Sequence, residues 1–145
     1  MTKRVPELLD ELNANPDLIE NYKDNLLLKI IFIHSYLKDA KFILPEGIPP
    51  FRPAVEPEGM TPTSLLFEIK KLATFTRADL PAAKREALFI QLLENISPRE
   101  GEILLAIKEQ KFHKMFKKLN RKLAIKHGFI IDDRTKDDPK EDETE

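Results

Sequence analysis

Apolar residues recur three or four places apart through most of the first 130 residues, and no run alternates long enough for a useful strand. Val5, Leu8, Leu9 and Leu12 predict a short first helix, with Pro6 where a first turn accepts it. Asn15-Pro16 breaks that helix and starts another turn through Asp17–Tyr22. Asp24 is placed to cap the next helix, which the pattern carries to about Lys41. Leu26, Leu27, Leu28, Ile30, Ile31, Phe32, Ile33, Tyr36 and Leu37 leave that helix little polar face, so others must surround it. It is the expected core.

The pattern then stops. Residues 44–62, "LPEGIPPFRPAVEPEGMTP", contain six of the eleven prolines and exclude a helix. A loop this long is unusual in a compact domain. One reading makes it an extended strap over the helices with Ile48, Phe51 and Val55 tucked in; the other makes it a docking segment for a partner groove. The strap is preferred, because isolated proline-rich loops usually pack on their own domain.

Helical spacing resumes after the prolines. Thr61 or Thr63 is placed to cap a helix through about Phe75, with Leu65, Leu66, Ile69 and Leu72 inward. Asp79 and Pro81 start another that ends at Asn95. "SPRE" at Ser97–Glu100 is a capping box with proline at the first helical position. Ile103, Leu104 and Ile107 follow it, and a five-residue slip from Ile107 to Phe112 predicts a break near Gln110. Phe112, Phe116, Leu119 and Leu123 form the last stripe, and Gly128 is a fitting C′ stop. The expected fold is all-α, a compact bundle of six or seven helices within residues 1–130.

Charge divides the chain differently. Residues 131–145 hold eight acids against three bases, whereas the preceding 130 residues hold 21 bases against 17 acids. A mildly basic body therefore carries an acidic tail, and "DDRTKDDPKEDETE" has no apolar residue to bury, which predicts disorder. Cysteine is absent, removing disulfides, thiolate metal sites and a thiol nucleophile. The basic N-terminus lacks a continuous apolar segment, and the most apolar run, Leu26–Ile33, is broken by Lys29. A soluble protein with no membrane span is expected.

Catalytic chemistry finds no footing. His34, His113 and His127 lack metal spacing with one another or with a carboxylate on the same helical face. Four glycines form no phosphate loop, and Glu100 and Glu102 point to different sides of a helix. Asp132-Asp133 and Asp137-Asp138 lie in the tail, where a solubilising role is the simpler reading. Neither an enzyme nor a cofactor is expected.

The best functional candidate is basic. Residues 111–128 carry seven Lys or Arg, and no acid interrupts the chain from Lys111 to Ile131. With the last apolar stripe inward, Lys111, Lys114, Lys118, Arg121 and Lys122 gather outward at helical spacing, flanked by Lys117 and Lys126. Such a stripe would neutralise several phosphates with little base reading. An ordinary solvated helix face explains the same residues, and spacing alone leaves both readings open.

The order of elements resembles a known domain. "ENYKDNLLLKIIFIHSYLKDAKFIL" is similar to the start of the ATP-dependent DNA ligase of T-even-type phages. "MTPTSLLFEIKKLATFTRA" resembles that ligase's next helix, "KREALFIQLLENISPREGEILLAIKEQKF" its following pair, and "LNRKLAIKHGF" the helix closing its N-terminal domain. The resemblance covers roughly residues 18–129 in pattern and order, and extends to small proteins of T-even-like cyanophages and other marine phages. It implies an all-helical domain that grips duplex DNA through its backbone from the minor-groove side. Ligation is not implied, because the Lys-x-Asp-Gly nucleophile motif is absent. The ligase's small-residue turn is replaced by "KFHKMFKK", and the proline strap is longer than its counterpart.

From the resemblance, Lys114, Lys117, Lys118, Arg121, Lys122 and Lys126 are the expected nucleic-acid-binding residues. The expectation is a non-catalytic phage accessory protein acting on duplex DNA in the host cytoplasm. Its alternative is an adaptor or virion component that kept the ligase-like fold without DNA, meeting a phage or host protein through the strap at 45–60 or the acidic tail.

Overall fold

A computed structural model describes residues 4–134. Those residues form helices joined by 3-10 turns and irregular chain, with no strand among them. Helix α1 spans Val5–Ala14, α2 Leu26–Tyr36, α3 Leu65–Glu68, α4 Ala82–Asn95, α5 Pro98–Lys108, α6 Phe112–Met115 and α7 Arg121–Lys126. The 3-10 segments are Pro16–Tyr22, Lys38–Ala40 and Ile69–Thr76. An all-α bundle is what the spacing predicts. No helix among the described residues is long and apolar enough to cross a membrane.

Helix α2 is the core, as its apolar faces require. Leu28, Ile31 and Phe32 are fully buried, and the Phe32 ring lies 5.2 Å from Phe129 and 6.3 Å from Phe112. Helix α5 packs against α1, α2, α4 and α6. The cap of α2 is Asn25, not Asp24: its Oδ1 accepts from the Leu28 N–H at 3.0 Å. The helix also ends at Tyr36, short of the expected Lys41. Leu37 turns extended, and buried His34 donates from Nδ1 to the Ala40 carbonyl at 2.9 Å, holding the chain in the 3-10 turn. Burial lowers the His34 pKa, which keeps the ring a neutral donor.

The proline segment crosses the bundle as irregular chain, but apolar side chains are not its main fastening. Ile48 and Val55 are 74% and 91% exposed, contrary to expectation, and only Phe51 of the three packs on the core. Polar groups fasten the rest. Lys108, buried on α5, donates to the Pro45 and Gly47 carbonyls at 2.8 Å each and pairs with Glu109. Glu109 accepts from the Gly47 N–H at 3.1 Å, and the Lys108 ammonium holds its carboxyl below the ordinary range. Buried Arg85 on α4 donates to the carbonyls of Ile43 at 2.6 Å, Leu80 at 2.7 Å and Arg77 at 3.1 Å. Glu94 accepts from the Arg52 N–H at 2.8 Å. At the far end Arg4 faces Glu58 and lies 2.6 Å from where a Cβ on Gly59 would sit.

Two caps lock the middle of the fold. Ser64, rather than Thr61 or Thr63, caps α3, because the helix starts at Leu65 and the Ser64 hydroxyl accepts from the Phe67 N–H at 3.2 Å. The Ser97–Glu100 capping box is present, and buried Glu100 does more than close it. Its Oε1 accepts from the Ser97 N–H at 3.0 Å, while its Oε2 accepts from the Leu65 N–H at 2.8 Å. One carboxylate therefore fixes the starts of α5 and α3, elements 35 residues apart in the chain. Replacing Glu100 by Ala should cost roughly 2–4 kcal/mol, since two buried N–H groups lose their acceptor, whereas Ser97→Ala should cost about 1 kcal/mol. Urea denaturation decides it: equal losses would show that Glu100 serves α5 alone.

Candidate nucleic-acid interface

The last apolar stripe is broken where one helix is expected over residues 112–126. Gln110 takes φ +59°, and the Lys111 N–H reaches the Ala106 carbonyl at 2.7 Å, the wrapped end of a Schellman turn. Its side chain earns that unusual conformation by donating to the His34 and Ile107 carbonyls at 3.1 and 3.0 Å. Helix α6 then lasts only from Phe112 to Met115. Residues 116–120 are pinned by two distant elements: the Tyr36 hydroxyl donates to the Leu119 carbonyl at 2.6 Å, and the Lys118 N–H donates to Asn13 Oδ1 at 2.9 Å. Asn120 restarts the helix, its Oδ1 accepting from the Leu123 N–H at 2.9 Å. Gly128, at φ +79°, ends α7 in a second Schellman turn.

Phe112, Phe116 and Leu119 are buried as the stripe predicts, and Leu123 packs at the edge of the core. The break redistributes the basic residues. Lys114, on α6, is exposed; Lys117 and Lys118, in the pinned turn, are exposed; Lys122 and Lys126, on α7, are exposed and four apart, so they share one face. Among the described residues none of these five lysines is in an ion pair, and no acid lies between them in the chain. Their ammonium groups stay hydrated.

Arg121 is placed apart from them. It is expected outward but is buried, 6% exposed, under the end of α2. Its Nη1 donates to the Tyr36 carbonyl, its guanidinium lies 5.4 Å from the centre of the Tyr36 ring, and Asp133 approaches at 3.7 Å. The reason is the restart at Asn120, which makes Arg121 the first residue of α7 and turns it toward α2. Asp133 also accepts from the Lys38 N–H at 2.9 Å, so the first residues after Ile130 fold back against the end of α2. Disorder is expected over residues 131–145; of these, 131–134 are placed, and 135–145 lie outside the described residues. Asp132 is held down to about 2 by the Arg134 side chain and N–H.

No group of three or more His, Asp or Glu able to hold a metal occurs among the described residues. Sequence reasoning missed the roles of Arg85, Lys108 and Arg121 as internal donors, because spacing cannot tell a buried cation from a solvated one. Asn120, a residue type that favours the start of a helix, was the available signal for the helix break.

A family model matches residues 12–114, and the chain belongs to that family, described as a family of unknown function (DUF6433). The match takes in the whole proline segment and Lys114 and ends before Lys117. No curated protein and no solved structure matches the chain.

The two kinds of cation should part under mutation. Arg121→Met should destabilise the fold by roughly 2–4 kcal/mol, leaving the Tyr36 carbonyl without its donor. Each of Lys114, Lys117, Lys118, Lys122 and Lys126 changed to Gln should stay within about 0.5 kcal/mol of wild type. Thermal melts of the six variants check this; a wild-type melt for Arg121→Met would contradict it.

Proposed function

We propose that this protein is a non-catalytic phage accessory protein that holds duplex DNA by its phosphates in the host cytoplasm. The contacts come from Lys114, Lys117, Lys118, Lys122 and Lys126, with Arg121 bracing the helix that carries two of them. The observation that carries this reading is the run of five exposed lysines, unpaired among the described residues, on a chain segment without acids. The resemblance of the helical order to a phage ligase's N-terminal domain supports the choice of duplex DNA. Lysines without buried amide or arginine partners suit phosphate positioning, not base reading. The acidic tail tunes binding by competing for the same lysines, and the seating of Asp133 beside Arg121 supports that role by starting the tail next to α7.

A second reading has its own support. The family match contains the proline segment whole, and Val55 and Ile48 stand out of the fold there. On that reading the segment docks to a protein partner, as an adaptor or virion component, and the lysines are ordinary surface.

Titration of a labelled duplex at several salt concentrations separates the two. With all five lysines engaged, log K should fall against log salt with a slope of about −4 to −5. A variant with the five changed to Gln should lose most of that slope, and a chain ending at Arg134, which keeps the Asp133 contacts, should bind more tightly. No binding of the full chain at low salt, or an unchanged slope in the five-Gln variant, overturns the DNA reading and leaves the partner-docking one.

A further inference from the structure

We infer that the cleft between α4 and the 3-10 segment Ile69–Thr76 is a binding site for a small organic cation, an ammonium carried on a short apolar body. The inference is independent of the lysine face and stands or falls separately from it. The cleft has a volume of about 300 Å³, at the lower end for small-molecule sites. Its apolar surface comes from Phe75 and Leu92, and Glu68, Gln91 and Asn95 bring polar groups to it. All of these residues fall within the family match.

Two features select the sign of the ligand, and a third shapes its apolar part. Glu68 is the first. Its side chain is only 17% exposed, and its Oε2 is buried with no hydrogen bond among the described residues. A carboxylate oxygen in that position is costly unless a donor reaches it. The contact it does have is ionic, with Lys71 Nζ at 3.3 Å, on a side chain that is 71% exposed. An exposed lysine is weakly held and easily displaced.

The second feature is the end of α4. Asn95 is its last residue, and although its carbonyl accepts from the Thr63 N–H at 3.0 Å, the carbonyls of the last turn leave a partial negative charge there. That last turn contains no basic residue to offset it. The third is the Phe75 ring, itself buried in a cluster with Phe42 and Phe89 and present in the cleft lining. Phe75 is 4% exposed, so it gives the cleft an apolar wall.

These features combine in one pose. The ligand's ammonium takes the place of Lys71 against Glu68, and its apolar body covers Phe75 and Leu92. A neutral molecule of the same shape gains only the second half. An anion meets Glu68 and is excluded.

The test uses the full chain and phenethylammonium, with the uncharged alcohol of the same skeleton as control, read by amide chemical-shift changes. Phenethylammonium should give saturable shifts confined to residues 63–76 and 88–95. The alcohol should bind more weakly by about tenfold or more, the loss of one charged hydrogen bond. Glu68→Gln should weaken the ammonium by a similar factor, and Lys71→Ala should tighten it by removing the resident competitor. Lys71 lies at the surface, so its variant keeps the test decisive even if Glu68→Gln does not fold. Equal affinities for ammonium and alcohol, shifts outside the cleft, no shifts at all, or a Lys71→Ala variant that binds no better would overturn the inference.

Discussion

Buried cations holding main-chain carbonyls are what the rest of this fold depends on. Arg85 serves Ile43, Arg77 and Leu80; Lys108 serves Pro45 and Gly47; Arg121 serves Tyr36. Each carbonyl lies where a helix has ended or the proline segment crosses the body, so no helical N–H is available to it. A main-chain carbonyl shut away from water needs a donor, and a buried cation needs several acceptors; each solves the other's problem. Long side chains reaching from α4, α5 and α7 thus do for the irregular segments what a sheet ladder does elsewhere. This is why a segment with six prolines and two large exposed aliphatic residues still lies against the bundle.

The same interaction explains what was legible in the sequence. Helical periodicity, the Ser97–Glu100 box, the break at Gln110 and the stop at Gly128 are local signals, and all four stand in the structure. The end of α2 was not legible, because it is held by the His34 bond to the Ala40 carbonyl and by Arg121 on the Tyr36 carbonyl from 85 residues away. Nor was the second role of Glu100, which reaches across to Leu65. The strap was expected to bury Ile48 and Val55 because isolated proline-rich loops usually pack on their own domain; polar clamps hold it instead. Asn120 caps α7 inside the apolar stripe from Phe112 to Leu123, so helical spacing alone hides the break there.

Burial also sorts the charges by function. Twenty-four basic residues say little about a surface while some of them serve the interior. Removing Arg121 from the candidate face leaves five lysines, all exposed, and these suit contacts that are strong at low salt and indifferent to sequence. Inner cations shape the bundle; on the reading proposed above, the outer ones meet the anion.

Acylation of lysines with an amine-reactive reagent, read by mass spectrometry with and without duplex DNA, addresses that division directly. Lys108 should stay unmodified throughout, while Lys114, Lys117, Lys118, Lys122 and Lys126 react freely and become protected together when duplex is added. Modification of Lys108 in the folded protein, or five lysines whose reactivity ignores the duplex, would contradict the account.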